Sequence, residues 1–377
     1  MTAPRSATLR TRSTPPAATS TGLVATWLRF WFTPTDPIGL HIVRILSGLV
    51  FLAWLLPFAS DLDSLFSQQG WFDLQAYADA ARLEGGSTEM GGDSLLPFGW
   101  SVLYWISSSQ LVIFYWSVIL VVLLLTLGVF TRLTSVLTWV AMVSFTANPI
   151  LESDGDVLIR LLAMYVMVGY VLLDQWEHGQ TVWSRLLGSR DALLLGRSSA
   201  QPSIGANVAM RLLQVHVVIV VLTSALHKLQ FGEWWSGLAL WYPIYSQSTF
   251  VDIRKLAPAR NFYLGMYSLA TYLVLAWQFA FPFFAWRPRW RMLLLGGSAL
   301  AWLANLWLYQ VPNFGSAFAV CGLSFVTPAE WRQVLSLVSR LPGLSVLART
   351  LPSVHDRLPE KKGKKKTAAS LITTGQR

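Results

Sequence analysis

Long apolar stretches recur along this chain from residue 38 to residue 326, and they constrain its fold more than any other feature. A helical run of about 20 apolar residues crosses a hydrocarbon core of about 30 Å. Inside that core each backbone N–H and C=O must be satisfied within its own segment, so these stretches read as helices. We place them at 38–58, 102–130, 133–149, 157–173, 208–229, 262–286, 290–309 and 314–326, the last being the shortest. With 54% hydrophobic and only 13% charged residues among 377, a soluble globular fold is excluded. The expected fold class is all-α, a polytopic membrane helix bundle of about eight transmembrane segments. Many of the 19 tryptophans fall near segment ends, as interfacial anchors do.

The net charge of +10 is concentrated at the two ends of the chain. Arg5, Arg10, Arg12 and Arg29 face only Asp36 in residues 1–37, which read as a disordered basic tail turning amphipathic near Trp27 to Phe32. No compact leader with a cleavage site precedes the first segment in this reading. Residues 38–326 form the transmembrane domain, and 327–377 a second basic tail with the cluster Lys361 to Lys366. Under the positive-inside rule both tails are expected to be cytoplasmic, in a cell membrane, with membrane lipids as partners. The basic balance therefore implies no nucleic acid. Asp61, Asp63, Asp73, Asp79, Glu84, Glu89 and Asp93 oppose a single Arg82 in the loop 59–99, which is placed outside. Arg132, the Arg185–Arg190–Arg197 group and the Arg287–Arg289–Arg291 group fall inside. Arg254, Lys255 and Arg260 break this alternation, so the Trp-rich stretch 234–259 is expected to hold interfacial or re-entrant helices.

Lys228 closes the run Q-V-H-V-V-I-V-V-L-T-S-A-L-H-K-L. A charged side chain in the centre of a membrane helix costs roughly 2.5–3.5 kcal/mol on insertion scales, so such a residue is a candidate for function. The competing reading has it snorkelling from the helix end to the headgroups. Gln214, Val217, Val221, Ser224 and Lys228 share one face, and His216, Thr223 and His227 a neighbouring one. Where an interior excludes water, a neutral amine serves as a general base, and imidazoles relay protons. Lys228, His227 and His216 are the candidate catalytic residues. Arg44, Arg160 and Arg211 suit pairing with Asp156 or Asp174, or binding of a phosphate or carboxylate. Asn148-Pro149 ends a segment and is expected to open it toward a cavity. No phosphate-cradling glycine loop, dinucleotide fingerprint or H-E-x-x-H run is present. Five scattered histidines and one cysteine, Cys321, point to no metal site and no internal disulfide.

The run L-T-S-A-L-H-K-L-Q-F-G-E-W-W-S-G-L-A-L resembles the core of the HTTM (horizontally transferred transmembrane) domain family, which includes the membrane domain of vitamin K-dependent γ-glutamyl carboxylase. The matching positions are Ala225, Lys228, Leu229, Trp234 or Trp235, and Gly237. D-P-I-G-L-H-I-V-R, G-W-F at 70–72, G-V-F-T-R-L, Asn148-Pro149, Gly155-Asp156, Arg160 and Leu173-Asp174 follow in order. The resemblance implies a membrane enzyme in which Lys228, beside His227, deprotonates a reduced quinone such as vitamin K hydroquinone. The oxygenated quinone then removes a γ-proton from a glutamate of a secreted peptide or protein, and CO2 adds. Arg44, Arg160, Trp235 and Gly237 are the cofactor-binding residues expected on this reading. The sequence departs from the family in having no histidine between Ser298 and Trp307 and only about fifty residues after the last segment. Two other readings stand beside it. One is a non-carboxylating membrane protein for maturation, export or immunity of a secreted peptide, and the other a structural, lipid-contacting membrane protein.

Overall fold

The structure, a computed structural model, describes residues 22–71, 100–148, 151, 153–173, 202–241, 260–307 and 312–338. The acidic loop beyond Trp71, the stretch Tyr242 to Ala259, Pro149, Asp174 and the lysine cluster lie outside these residues.

The helices run α1 (Leu23–Phe32), α2 (Ile38–Leu55), α3 (Leu62–Phe66), α4 (Ser108–Leu127), α5 (Thr131–Phe145), α6 (Asp154–Leu172), α7 (Ile204–Lys228), α8 (Gly232–Trp235), α9 (Arg260–Phe284), α10 (Pro288–Trp307) and α11 (Pro312–Gly322). Five segments are long and apolar enough to cross a membrane: Ile38–Ser60, Ser108–Leu127, Gly155–Leu172, Ile204–Lys228 and Asn261–Phe284. The fold is thus a helical bundle with five membrane-crossing candidates among the described residues. The other three expected segments appear as helices that do not reach that mark. α5 is 15 residues long and dilutes its apolar face with Thr131, Thr134, Ser135, Thr138 and Ser144. α10 opens on Arg289 and Arg291, and α11 has only 11 residues before a 3-10 turn, Leu323–Phe325.

Local chemistry sets the boundaries. The second expected segment divides into a 3-10 turn, Val102–Trp105, capped by the Ser101 side chain on Leu103 N–H, and α4, with extended backbone at Ile106 and Ser107 between them. Gly128 ends α4 in the left-handed conformation (φ 86°), where the Cβ of another residue would be strained. α6 starts on a capping box between Ser153 and Asp156.

Packing centres on α6, which touches α2, α5, α7 and α11. α7 runs antiparallel to it: Gly205 meets the Leu172 carbonyl at one end, and His216 meets Tyr165 farther along. A side chain on Gly169 would collide with Leu40 on α2 and Ala209 on α7, so this glycine sets how closely three helices converge. The core is continuous, built from residues such as Phe51, Tyr115, Phe145, Ile159, Val166, Leu213 and Phe281. Thr35 and Ser203 exchange two backbone hydrogen bonds (3.1 and 2.9 Å), which tie the start of α2 to the start of α7. A separate unit, from Ala329 onward, is described only through the helix Pro328–Val338, in which Arg332, Gln333 and Val334 are exposed.

Candidate functional site

The face of α7 carrying Gln214, Val217 and Val221 is buried, as the helical spacing predicts, and it delivers Ser224 and then Lys228 to one end of the bundle. Lys228 is half-buried. Its Nζ lies 2.5 Å from Ser224 Oγ, one turn back, and 5.3 Å from the ring centre of Trp234. Trp234 sits in α8, the single turn that follows α7, and its ring lies against the lysine.

The third member of this group comes from α9 and was not singled out in the sequence. Gln278 is 7% exposed, and its Nε2 donates to Ser224 Oγ at 3.3 Å. Its Oε1 is buried without a hydrogen-bond partner. Pro282 lies four residues later inside α9 and has no N–H to give the Gln278 carbonyl. A lone glutamine in A-W-Q-F-A-F-P-F-F, followed at the fourth position by proline, was the available signal.

The structure does not bring the three expected catalytic residues together. His227 is exposed and stands edge-on to Phe231, with ring centres 5.1 Å apart. Neighbours on a helix project about 100° apart, so its adjacency to Lys228 in sequence does not place it in the same group. His216 lies 12 residues earlier, about 18 Å along the axis, and its Nδ1 shares a 2.8 Å hydrogen bond with the Tyr165 hydroxyl of α6.

The expected cofactor-binding residues also separate. Arg44 is 0% exposed, packed 5.6 Å from the ring centre of Tyr170, and its Nε and one terminal nitrogen have no hydrogen-bond partner. The same Tyr170 hydroxyl lies 2.6 Å from His41 Nδ1, so His41, Arg44 and Tyr170 form a buried cluster between α2 and α6. His41 stood in the sequence motif without being assigned a role. Arg160 lies four residues, about one turn, after Asp156 on α6. Trp235 is 64% exposed; its Nε1 donates to the Leu229 carbonyl, and its own carbonyl accepts from the Tyr272 hydroxyl, both at 2.7 Å. Gly237 has φ 76°, and a Cβ there would run into Ser268 of α9, so it serves the close approach of the α8 turn to α9. Asn148 is buried and donates to the Leu65 carbonyl at 2.7 Å, which ties the end of α5 to α3.

Among the described residues, no group of three His, Cys, Asp or Glu side chains is placed to hold a metal ion. Compared with known proteins, the chain matches no family model, no curated protein and no solved structure. The fold itself defines a class, that of multi-pass helical membrane proteins.

Proposed function

We propose that this chain is a membrane enzyme of the HTTM kind in which Lys228 is the base for a hydroxylated, apolar substrate of the reduced-quinone class. One observation carries the reading: a half-buried amine beside a buried glutamine whose side-chain oxygen lacks a donor. A hydroxyl group supplies the missing donor, and a neutral amine within reach accepts its proton. The O–H bond breaks as an N–H bond forms on Nζ. Ser224 orients the amine, Gln278 orients Ser224, and the Trp234 ring covers the site with an apolar face that suits an aromatic substrate. The chemistry beyond proton removal, carboxylation of a peptide included, belongs to the resemblance. The plasma-membrane location and the eight-span arrangement with both termini inside rest on the spacing of apolar runs and on the distribution of basic residues.

Purified full-length protein given a reduced quinone in aerated detergent micelles, with dioxygen as the oxidant that consumes the deprotonated quinol, tests this. Quinol consumption should fall by about 10²–10⁴-fold in Lys228→Ala, the range for loss of a general base. Equal consumption by wild type, Lys228→Ala and Lys228→Met would leave the lysine as a snorkelling anchor and refute the proposal.

A further inference from the structure

With ten residues, α1 is about 15 Å long, half of a hydrocarbon core of about 30 Å, and so it does not cross a membrane. Its place in the fold is nevertheless fixed. Asn207, 5% exposed near the start of α7, donates to the Phe30 and Trp31 carbonyls at 3.0 and 2.7 Å. The same side chain accepts from the Thr35 hydroxyl at 3.2 Å. The Phe30 ring lies 4.4 Å from the Arg211 guanidinium carbon and stands edge-on to Trp286, with ring centres 6.2 Å apart. These contacts hold α1 at the end of the bundle where α2 and α7 begin and α9 gives way to α10.

The rest of its apolar surface points away from the bundle. Leu23, Val24, Trp27, Leu28 and Phe32 are between 49% and 91% exposed. At about 100° per residue they share one half of the helix circumference, with Thr26 and Arg29 on the other. Facing water, this arc would leave five large apolar side chains hydrated on a single short helix.

What covers the arc follows from its level. Phe283, Phe284 and Trp290 at the α9–α10 junction are exposed, as are Arg287 and Arg289 among them. Trp286, which meets Phe30, lies within this group, so the group and α1 are neighbours at one end of the bundle. Exposed rings interleaved with guanidinium groups at the ends of membrane-crossing helices mark the boundary between headgroups and acyl chains. A second copy of the chain is the poorer occupant. An arc about 15 Å long and 10 Å wide falls far below the ~800 Å² per partner of a stable interface.

We propose that α1 is an interfacial docking helix whose partner is the phospholipid leaflet at the level where α2 and α7 begin. The helix axis lies in the plane of the leaflet, and the arc from Leu23 to Phe32 sits among the first segments of the acyl chains. Thr26 and Arg29 face the aqueous side. Because Phe30 and Trp31 are bound to Asn207, the leaflet also steadies the start of α7 through α1. This inference is independent of the role proposed for Lys228.

The test uses the full chain in phosphatidylcholine vesicles, with a nitroxide attached to one introduced cysteine at a time. Val24→Cys and Leu28→Cys probe the arc, and Thr26→Cys the other side. All three positions are exposed, so the substitutions leave the bundle intact. Cys321, the single native cysteine, is 2% exposed, and wild type treated in parallel gives its background. Labels at 24 and 28 should relax severalfold more with lipid-soluble oxygen than with a water-soluble nickel chelate, at a depth of about 5–10 Å. The label at 26 should show the reverse. Nickel-dominated relaxation at 24 and 28 would place the arc in water and overturn the proposal. Spin–spin broadening at 28 that vanishes on dilution with unlabelled protein would assign the arc to a second copy and overturn it equally.

Discussion

The two ends of α7 use similar residue types to opposite effect. At the N-terminal end, every polar group of the Gln214 side chain is engaged, and three elements depend on it: Arg211 on its own helix, Trp286 after α9, and the turn at Ser324. At the C-terminal end, the Gln278 amide is engaged on one side only, and Lys228 is held by a neutral hydroxyl. A fully engaged buried amide fixes geometry, because any movement breaks several bonds at once. A half-engaged one retains the capacity to bind something else. The Gln214 amide serves to hold helices together, and the Gln278 amide retains an acceptor that a substrate can use.

That contrast can be broken by substitution. Lys228→Ala should abolish quinol turnover by about two to four orders of magnitude while leaving the detergent unfolding midpoint near that of wild type. A parallel collapse of stability would make Lys228 structural and erase the distinction. Gln214→Leu should do the reverse. It strands the Trp286 indole N–H and the Ser324 carbonyl, and should cost about 1–3 kcal/mol in denaturant unfolding with the KM for quinol unchanged. Gln278→Leu removes the unused acceptor; a rate loss of about tenfold, or about 1.4 kcal/mol in the barrier, is expected in steady-state kinetics. Thr223→Val sharpens the comparison from the exposed side of α7. Thr223 is exposed and its hydroxyl returns to the Ile219 carbonyl, so stability should change by less than about 0.5 kcal/mol.

Much of the α7 site was legible because a helix has a period. The face through Gln214, Val217, Val221, Ser224 and Lys228 follows from spacing alone, and burial of that face agrees. Gln278 was not legible, since no periodicity says which residue of another helix will meet Ser224. Nor was the divergence of His227 and His216 from Lys228, because a stripe drawn along a helix does not say which part of it finds a partner. The count of membrane-crossing helices suffered from a related ambiguity. Apolar composition located α5, α10 and α11, but their length and polarity decide whether each crosses, and those depend on where caps and turns stop the helix. Arg44 was visible as a lone charge in an apolar run, whereas its packing with His41 and Tyr170 required the pairing of α2 with α6.

The Thr35–Ser203 pairing also has a temporal side. Asn207, four residues beyond Ser203, donates to the Phe30 and Trp31 carbonyls at the end of α1, the latter 176 residues away in the chain. At about 5–20 residues per second, roughly 10–35 s of synthesis separate the two partners. Throughout that interval α1 has left the ribosome without the residue that holds its last turn. A nascent chain arrested before α7 should therefore show α1 open to protease, and release past Asn207 should protect it.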